Sequence, residues 1–236
     1  MTIKELIVYD SEETCPYLPN RHARMPLRRP LESLAPATFD ARLEAGDRRT
    51  GAFLYNTSCQ HCAACEPIRL RVTDFRRSRS QRRVWRKGER HLTTELGPAD
   101  VTPEHVALFN RHRAERGLAK EDRDIDAFSY EHFLVDSCCD TRELRYYDED
   151  KLVGVAICDF GHRAMSAVYT FFVPDYRKVS VGVYSVLKQA QLCERKGIEF
   201  LYLGYYVEAS PHMKYKGEYL PHQRRIDGEW RDFERT

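Results

Sequence analysis

No stretch of this sequence comes near the roughly 18 consecutive apolar residues of a membrane-spanning helix, so no membrane contact is expected. Met1 to Asp10 are neither basic nor followed by a long apolar core, and no secretory signal is expected. Net charge is also scarce. The formal value is +2, so any strongly charged surface must be a local feature. No internal repeat is visible. What is present is a chain of 236 residues, 42% hydrophobic and 31% charged, long enough for one large domain or two smaller ones. Eight cysteines without a secretory signal read as thiols or metal ligands in a reducing compartment, rather than as disulfides. The expected location is the cytoplasm.

Three of these cysteines form the most informative stretch, Cys59-Gln-His-Cys62-Ala-Ala-Cys65. Two residues between thiols span a tight turn that brings both sulfurs to one metal ion. Cys15, in Cys15-Pro-Tyr-Leu-Pro19, offers a fourth ligand. An all-thiolate set of Cys15, Cys59, Cys62 and Cys65 suits a structural zinc or an iron–sulfur cluster, and spacing does not choose between them. Cys138, Cys139, Cys158 and Cys193 read as packing residues or spare thiols. From Arg69 to Arg90 there are ten basic residues and two acidic ones, a ribbon suited to a polyanion. Trp85, within it, either stacks on a base or holds the ribbon down.

Along the chain, 3–8 reads as a strand, 38–45 as a short helix and 52–55 as a strand. Residues 68–72 alternate apolar and basic side chains, the pattern of a half-exposed strand. Gly97-Pro98 marks the expected boundary between an N-terminal domain (1–98) and a C-terminal one (99–236). A proline-started helix is expected from 103 to about 116, and a short one over 129–135. Strands follow at 144–147, 152–159 and 164–173, then an amphipathic helix over 179–196 and a buried strand over 198–206. The expected fold class is α+β: a GNAT-like acyltransferase core behind an N-terminal cysteine-containing domain. In coenzyme A-dependent members of that fold a glycine-rich turn before the helix cradles pyrophosphate. Here the corresponding stretch is Arg177-Lys-Val-Ser180-Val-Gly182, with Ser180 in place of the first glycine.

Several motifs together resemble the aminoacyl-tRNA–protein transferases, in particular their bacterial leucyl-type branch. They are Cys15-Pro-Tyr-Leu-Pro19, Gly46-Asp-Arg-Arg-Thr-Gly51, the cysteine stretch continued to Glu66-Pro67, Arg79-Ser-Gln-Arg-Arg83, Tyr169-Thr-Phe-Phe172, Tyr202-Leu-Gly-Tyr-Tyr206 and Met213-Lys-Tyr-Lys216. The chain departs from the family's usual residues at Asp47, Asn56-Thr57 and His222-Gln223. The resemblance implies transfer of leucine from leucyl-tRNA to the α-amine of proteins that begin with Asp or Glu, which marks them for degradation. Arginine as donor residue is the alternative, with Asp175 and Glu208 as residues that would serve an arginyl pocket. No cofactor is needed for such chemistry.

The same resemblance suggests roles. Arg48 and Arg49, with Lys214 and Lys216, would grip the acidic side chain. Gln81, Arg82 and Arg83 would contact tRNA or acceptor. Tyr169, Thr170 and His212 are the catalytic candidates, and Tyr205, with Tyr169, Phe171 and Phe172, would wall the donor pocket. A coenzyme A-dependent acetyltransferase and a non-enzymatic metal-containing RNA-binding protein remain as readings from other classes.

Overall fold

The computed structural model describes residues 4–118 and 123–234. Ile3, of the first expected strand, lies outside them. Strands β1 (Glu5–Tyr9), β2 (Glu12–Thr14), β3 (His22–Arg24) and β4 (Leu27–Pro30) open the chain. Helix α1 (Pro36–Glu44) follows, two residues earlier than its expected start because a proline at its first turn begins it. Then come β5 (Arg48–Thr50), β6 (Phe53–Tyr55), β7 (Glu66–Arg71), α2 (Arg79–His91) and β8 (Thr93–Pro98). Next are α3 (Pro103–Glu115) and α4 (Ala127–Tyr130), which runs into a π-helical turn (Glu131–Val135). The last third holds β9 (Asp140–Asp148), β10 (Lys151–Phe160), β11 (Ala164–Phe172), α5 (Val181–Lys196) and β12 (Phe200–Tyr206). It ends with α6 (Pro211–Lys214), a 3-10 turn (Tyr215–Glu218) and the hairpin β13 (His222–Ile226) and β14 (Glu229–Phe233).

Eight strands form one sheet in the order β14-β13-β7-β12-β11-β10-β9-β8. Its core is the acyltransferase arrangement expected: antiparallel β9, β10 and β11, the crossover α5, then β12 parallel to β11. β10 is buried from Leu152 to Phe160, as a central strand covered on both faces must be. A four-stranded sheet, β1-β4-β6-β5, packs beside it through Phe39, Leu43, Leu54 and Tyr202. The expected boundary at Gly97-Pro98 is a paired edge strand: these residues sit opposite Glu143 and Arg142 of β9. Strands β7 and β8, from the first 98 residues, thus share hydrogen bonds with the strands that follow.

The basic ribbon does not run as a ribbon. Ser78 accepts from the Gln81 N–H, and the Gln81 side chain accepts from the Ser78 N–H, a capping box that starts α2. α2 packs on α5, and the two come so close that a Cβ on Gly88 would lie 2.1 Å from the Tyr184 ring. Trp85 lies at this contact, 5.7 Å from Tyr184 and under Arg77, so it holds the helix down.

Candidate functional site

The pairing of β11 with β12 is short. Ala164–Ser166 lies opposite Phe200–Tyr202, and beyond these residues the strands pair no further. A separation of two central strands leaves backbone groups without a ladder partner, and the structure shows what takes their place. Val173, following β11, donates its N–H to Val153 O of β10, so the residue before it, Phe172, turns its own N–H and C=O away from β10. His112 of α3 meets it, with Nδ1 2.9 Å from Phe172 O and 3.2 Å from Phe172 N. Burial holds this imidazole below its ordinary pKa range.

On β12, Gly204 O accepts from Arg48 Nη2 at 2.9 Å, and Tyr205 O accepts from Lys216 Nζ at 2.9 Å. Gly204 has φ of +87°, a conformation that favours glycine, and a Cβ there would come 3.3 Å from Lys216 Nζ. Arg48 is 4% exposed and Lys216 9%. Arg48 also donates to the Asp47 backbone O at 2.6 Å, and its Nε is buried without a partner. Asp47 itself is taken by Arg28 at 2.6 Å, with Asn56 at 3.1 Å and Arg42 at 3.6 Å. Asp47 and Asn56, which lie nine positions apart, therefore bond to each other. Neither Arg48 nor Lys216 forms an ion pair with a carboxylate among the described residues. Burial, then the neighbouring Arg48, pushes Lys216 down to about 7. Two buried cations with spare donors and no carboxylate are arranged to receive an anion.

Consecutive residues of the 3-10 turn join the two sides. Lys216 looks to Arg48, while the exposed Tyr215 looks to Arg116, the C-cap of α3. The wall on the α3 side is aromatic. Tyr169 lies 5.4 Å from Phe109 and 5.8 Å from Phe133. Burial raises its hydroxyl, and Arg113 partly offsets this. Arg113 sits over Phe109 at 5.4 Å and Arg116 over Phe172 at 5.8 Å. Sequence reasoning missed His112, Arg113 and Arg116; their spacing on α3 was the available signal. Thr170, the other β11 candidate, points to the opposite face, 3.4 Å from Ser185 of α5, which also bonds Tyr146 and Gln189.

Other candidates are placed elsewhere. Arg49 is buried against Asp159 at 2.7 Å and donates to the carbonyls of Gly51, Asp136 and Leu134. Neighbours on a strand point to opposite faces, so Arg49 cannot share the Arg48 site. Lys214 is exposed and pairs with Glu208 at 2.6 Å. His212 is exposed on α6. Gln81 is buried and donates to Glu218 O at 3.3 Å, a structural tie. Arg82 and Arg83 are exposed on α2, but Arg69 is not available: it lies between Phe200 and Trp230 and bonds Glu44, Gln223 and Tyr202. At the start of α5, Ser180 is the N-cap without a side-chain bond, and a Cβ on Gly182 would meet Phe172 at 3.1 Å.

Cys15, Cys62 and Cys65 pack around Leu18, Tyr205 and Val207. Cys59 Sγ accepts from Arg24 N at 3.4 Å. Burial, then Cys15, Cys59 and Cys62, raises the Cys65 thiol to about 12, which places all four sulfurs in one neighbourhood. Four thiols match the donor chemistry of zinc or an iron–sulfur cluster. Among the described residues no group of three or more His, Cys, Asp or Glu is closed into ligating geometry. The cluster backs onto Tyr205, whose ring lies 5.3 Å from the Arg48 guanidinium.

Comparison with known proteins follows the same lines. The description "Arginine-tRNA-protein transferase, C terminus" matches residues 104–226, and its N-terminal counterpart matches residues 13–83. An aspartate/glutamate leucyltransferase of Acinetobacter baumannii is 35% identical over 222 residues, covering 94% of this chain and 82% of its own. Those of Nitrosospira multiformis and Thiobacillus denitrificans are 36% and 38% identical, covering 92% and 93% of this chain and 86% and 91% of theirs. Among solved structures, the C-terminal domain of a lysylphosphatidylglycerol synthetase from Agrobacterium fabrum aligns with a TM-score of 0.49 at 14% identity, over 75% of this chain and 54% of that one. FemX aligns with a TM-score of 0.47 at 9% identity, over 77% and 63%. With both halves matched in order and relatives similar over nearly its whole length, this chain belongs to the aminoacyl-tRNA–protein transferase family, alongside the bacterial aspartate/glutamate leucyltransferases.

Proposed function

We propose that this protein transfers leucine from leucyl-tRNA to the α-amine of proteins whose first residue is Asp or Glu, in the cytoplasm, and so marks them for degradation. The observation that carries the reading is the pair of buried, carboxylate-free cations Arg48 and Lys216 where β11 and β12 part. An acidic first side chain completes this pair. The tRNA ester is already activated, and a free α-amine with a pKa of about 7.7–8.0 is partly neutral near pH 7. The amine attacks the ester carbonyl, its proton is lost, and the terminal ribose oxygen leaves with a proton. Holding amine and ester together supplies most of the acceleration.

The donor wall of Tyr169 and Phe133, backed by the buried Phe109, is apolar. Asp175 is exposed and engaged with Arg111, and Glu208 is exposed and engaged with Tyr206 and Lys214. Arg113 and Arg116 stand at this wall instead, which favours leucine over arginine. The exposed arginines of α2 are suited to tRNA phosphates, and Cys15, Cys59, Cys62 and Cys65 to a structural metal site behind Tyr205. No helix among the described residues is long and apolar enough to cross a membrane. The test is transfer of labelled leucine from leucyl-tRNA to peptides beginning with Asp, Glu or Lys. Label on the first two only is the expected result; equal labelling of the Lys peptide refutes the acceptor assignment.

A further inference from the structure

Four charged side chains from four segments close into a ring at the start of β5. Asp47 bonds Arg28 of β4 at 2.6 Å and lies 3.6 Å from Arg42 of α1. Glu5 of β1 bonds the same two arginines, at 3.2 and 2.7 Å. Two carboxylates and two guanidinium groups balance, so the ring adds no net charge to the site beside it. Asp47 is its innermost member. Its side chain is 2% exposed, against 14%, 18% and 20% for Arg28, Glu5 and Arg42. A carboxylate buried to that degree is stable only where partners replace water. Asn56, which follows β6, adds a third donor at 3.1 Å.

The ring fixes more than a carboxylate. The Asp47 N–H donates to Arg42 O at 2.9 Å, so this residue is held by its main chain as well as by its side chain. Its one remaining polar group, the carbonyl, accepts from Arg48 Nη1 at 2.6 Å. Arg48 Nη2 donates to Gly204 O at 2.9 Å, and the guanidinium lies 5.4 and 5.3 Å from the rings of Tyr202 and Tyr205. One hydrogen-bonding anchor of Arg48 therefore belongs to β12, and the other is a peptide that the ring holds in place. Arg48 is 4% exposed, so a small turn of its guanidinium withdraws the little surface it presents. A charge this enclosed receives a carboxylate only when it is aimed in advance.

We propose that Asp47 is a positioning residue for acceptor recognition. Pinned by Arg28, Arg42 and Asn56, it sets through its carbonyl the direction in which Arg48 meets the acidic first side chain. The inference rests on the reading of Arg48 as an anchor of the acceptor. Asp47 does not touch the substrate, and its effect passes through Arg48. Its negative charge does not oppose an acidic acceptor, because the ring neutralises it.

The test uses the whole protein, labelled leucyl-tRNA and an Asp-initiated peptide over a range of concentrations, giving kcat and the peptide KM for each variant. Asp47→Ala is expected to raise the peptide KM tenfold or more, with kcat within twofold of the wild type and the KM for leucyl-tRNA unchanged. Asp47→Asn keeps the size and an oxygen acceptor for Arg28, and should return KM to within about threefold of the wild type. In an Arg48→Ala background, where KM is already raised, Asp47→Ala should add nothing. A purely structural role would instead lower the active fraction alike in both backgrounds. If Asp47→Ala does not fold, Asn56→Ala removes one pin and should raise KM about threefold by itself and not at all beside Arg48→Ala. An unchanged or lowered KM in the variant used, or an equal rise in both backgrounds, overturns the positioning role; a raised KM in Arg48→Ala then leaves the acceptor reading intact. An unchanged KM in Arg48→Ala overturns that reading and the inference with it.

Discussion

A lysine buried beside an arginine, with no carboxylate to neutralise it, destabilises the fold that holds it. Lys216 shows this in its pKa, lowered to about 7 by burial and then by Arg48. In the unfolded chain the same group titrates near 10.4. Below about 7 both states are charged and the folded state carries the full penalty. Between about 7 and 10 only the unfolded state is charged, so the penalty shrinks as pH rises. Lys216→Met should therefore melt at a higher temperature than the wild type at pH 6.5, with the gain reduced at pH 9. The same variant should lose at least tenfold in transfer to Asp-initiated peptides, a stability gain at the expense of activity. A lower melting temperature at both pH values would show that the lysine contributes to stability in a way burial does not describe. Arg49, its neighbour in sequence to Arg48, behaves oppositely. Arg49→Ala leaves Asp159 buried and unpaired, a loss of about 3–5 kcal/mol that a denaturant titration would register. The sequence presents Arg48 and Arg49 as one pair. Strand alternation separates them, and only the pairing of β5 shows which one reaches the cleft.

Whether an element can be read from sequence depends on whether its signal is local. α5 and β10 were legible because a helical stripe and a buried apolar run are local patterns. The start of α2 was equally local, in Ser78 and Gln81, but the density of arginine obscured it. The closing hairpin has an Asp227-Gly228 turn with φ of 52° and 85°, a signal for two-residue hairpins. Gly97-Pro98 lies within β8, where proline is tolerated because β8 is an edge strand. On the proposed reading helix formation matters for tRNA binding: it spreads Arg82, Arg83 and Arg86 over an exposed surface at fixed spacing, while Arg69 is removed into the sheet. The double variant Arg82→Ala/Arg83→Ala should weaken tRNA binding and reduce the slope of log affinity against log salt by roughly two. An unchanged slope would move the tRNA phosphates off α2.

At the scale of the whole molecule the cleft was not legible, since it is built from β5, α3, β11, β12 and the 3-10 turn, whose residues lie far apart in the chain, 156 positions where Arg48 meets Gly204. The motifs named its parts, and the parting of two strands decides which parts meet. The cysteine cluster joins this assembly from behind. With a metal bound there, chelator treatment should lower the melting temperature and weaken selection of acidic acceptors, since Tyr205 packs on both the cysteines and Arg48. On the proposed reading, donor choice is set on the opposite wall. Two guanidinium groups about 6 Å apart repel by about 3 kcal/mol at an effective dielectric of 20, and even with half of that lost to solvent the discrimination is roughly tenfold. On the same reading an arginyl donor entering beside Arg113 and Arg116 meets that repulsion, while a leucyl side chain meets Tyr169 and Phe133. In competition between equal amounts of leucyl-, arginyl- and phenylalanyl-tRNA, leucine should be transferred at least tenfold more than arginine. Arg113→Glu should narrow that gap by raising arginine transfer. Preferred transfer of arginine by the wild-type protein would refute this donor assignment and leave the family's chemistry in place. A gap unaltered in Arg113→Glu would confine donor selection to the aromatic wall.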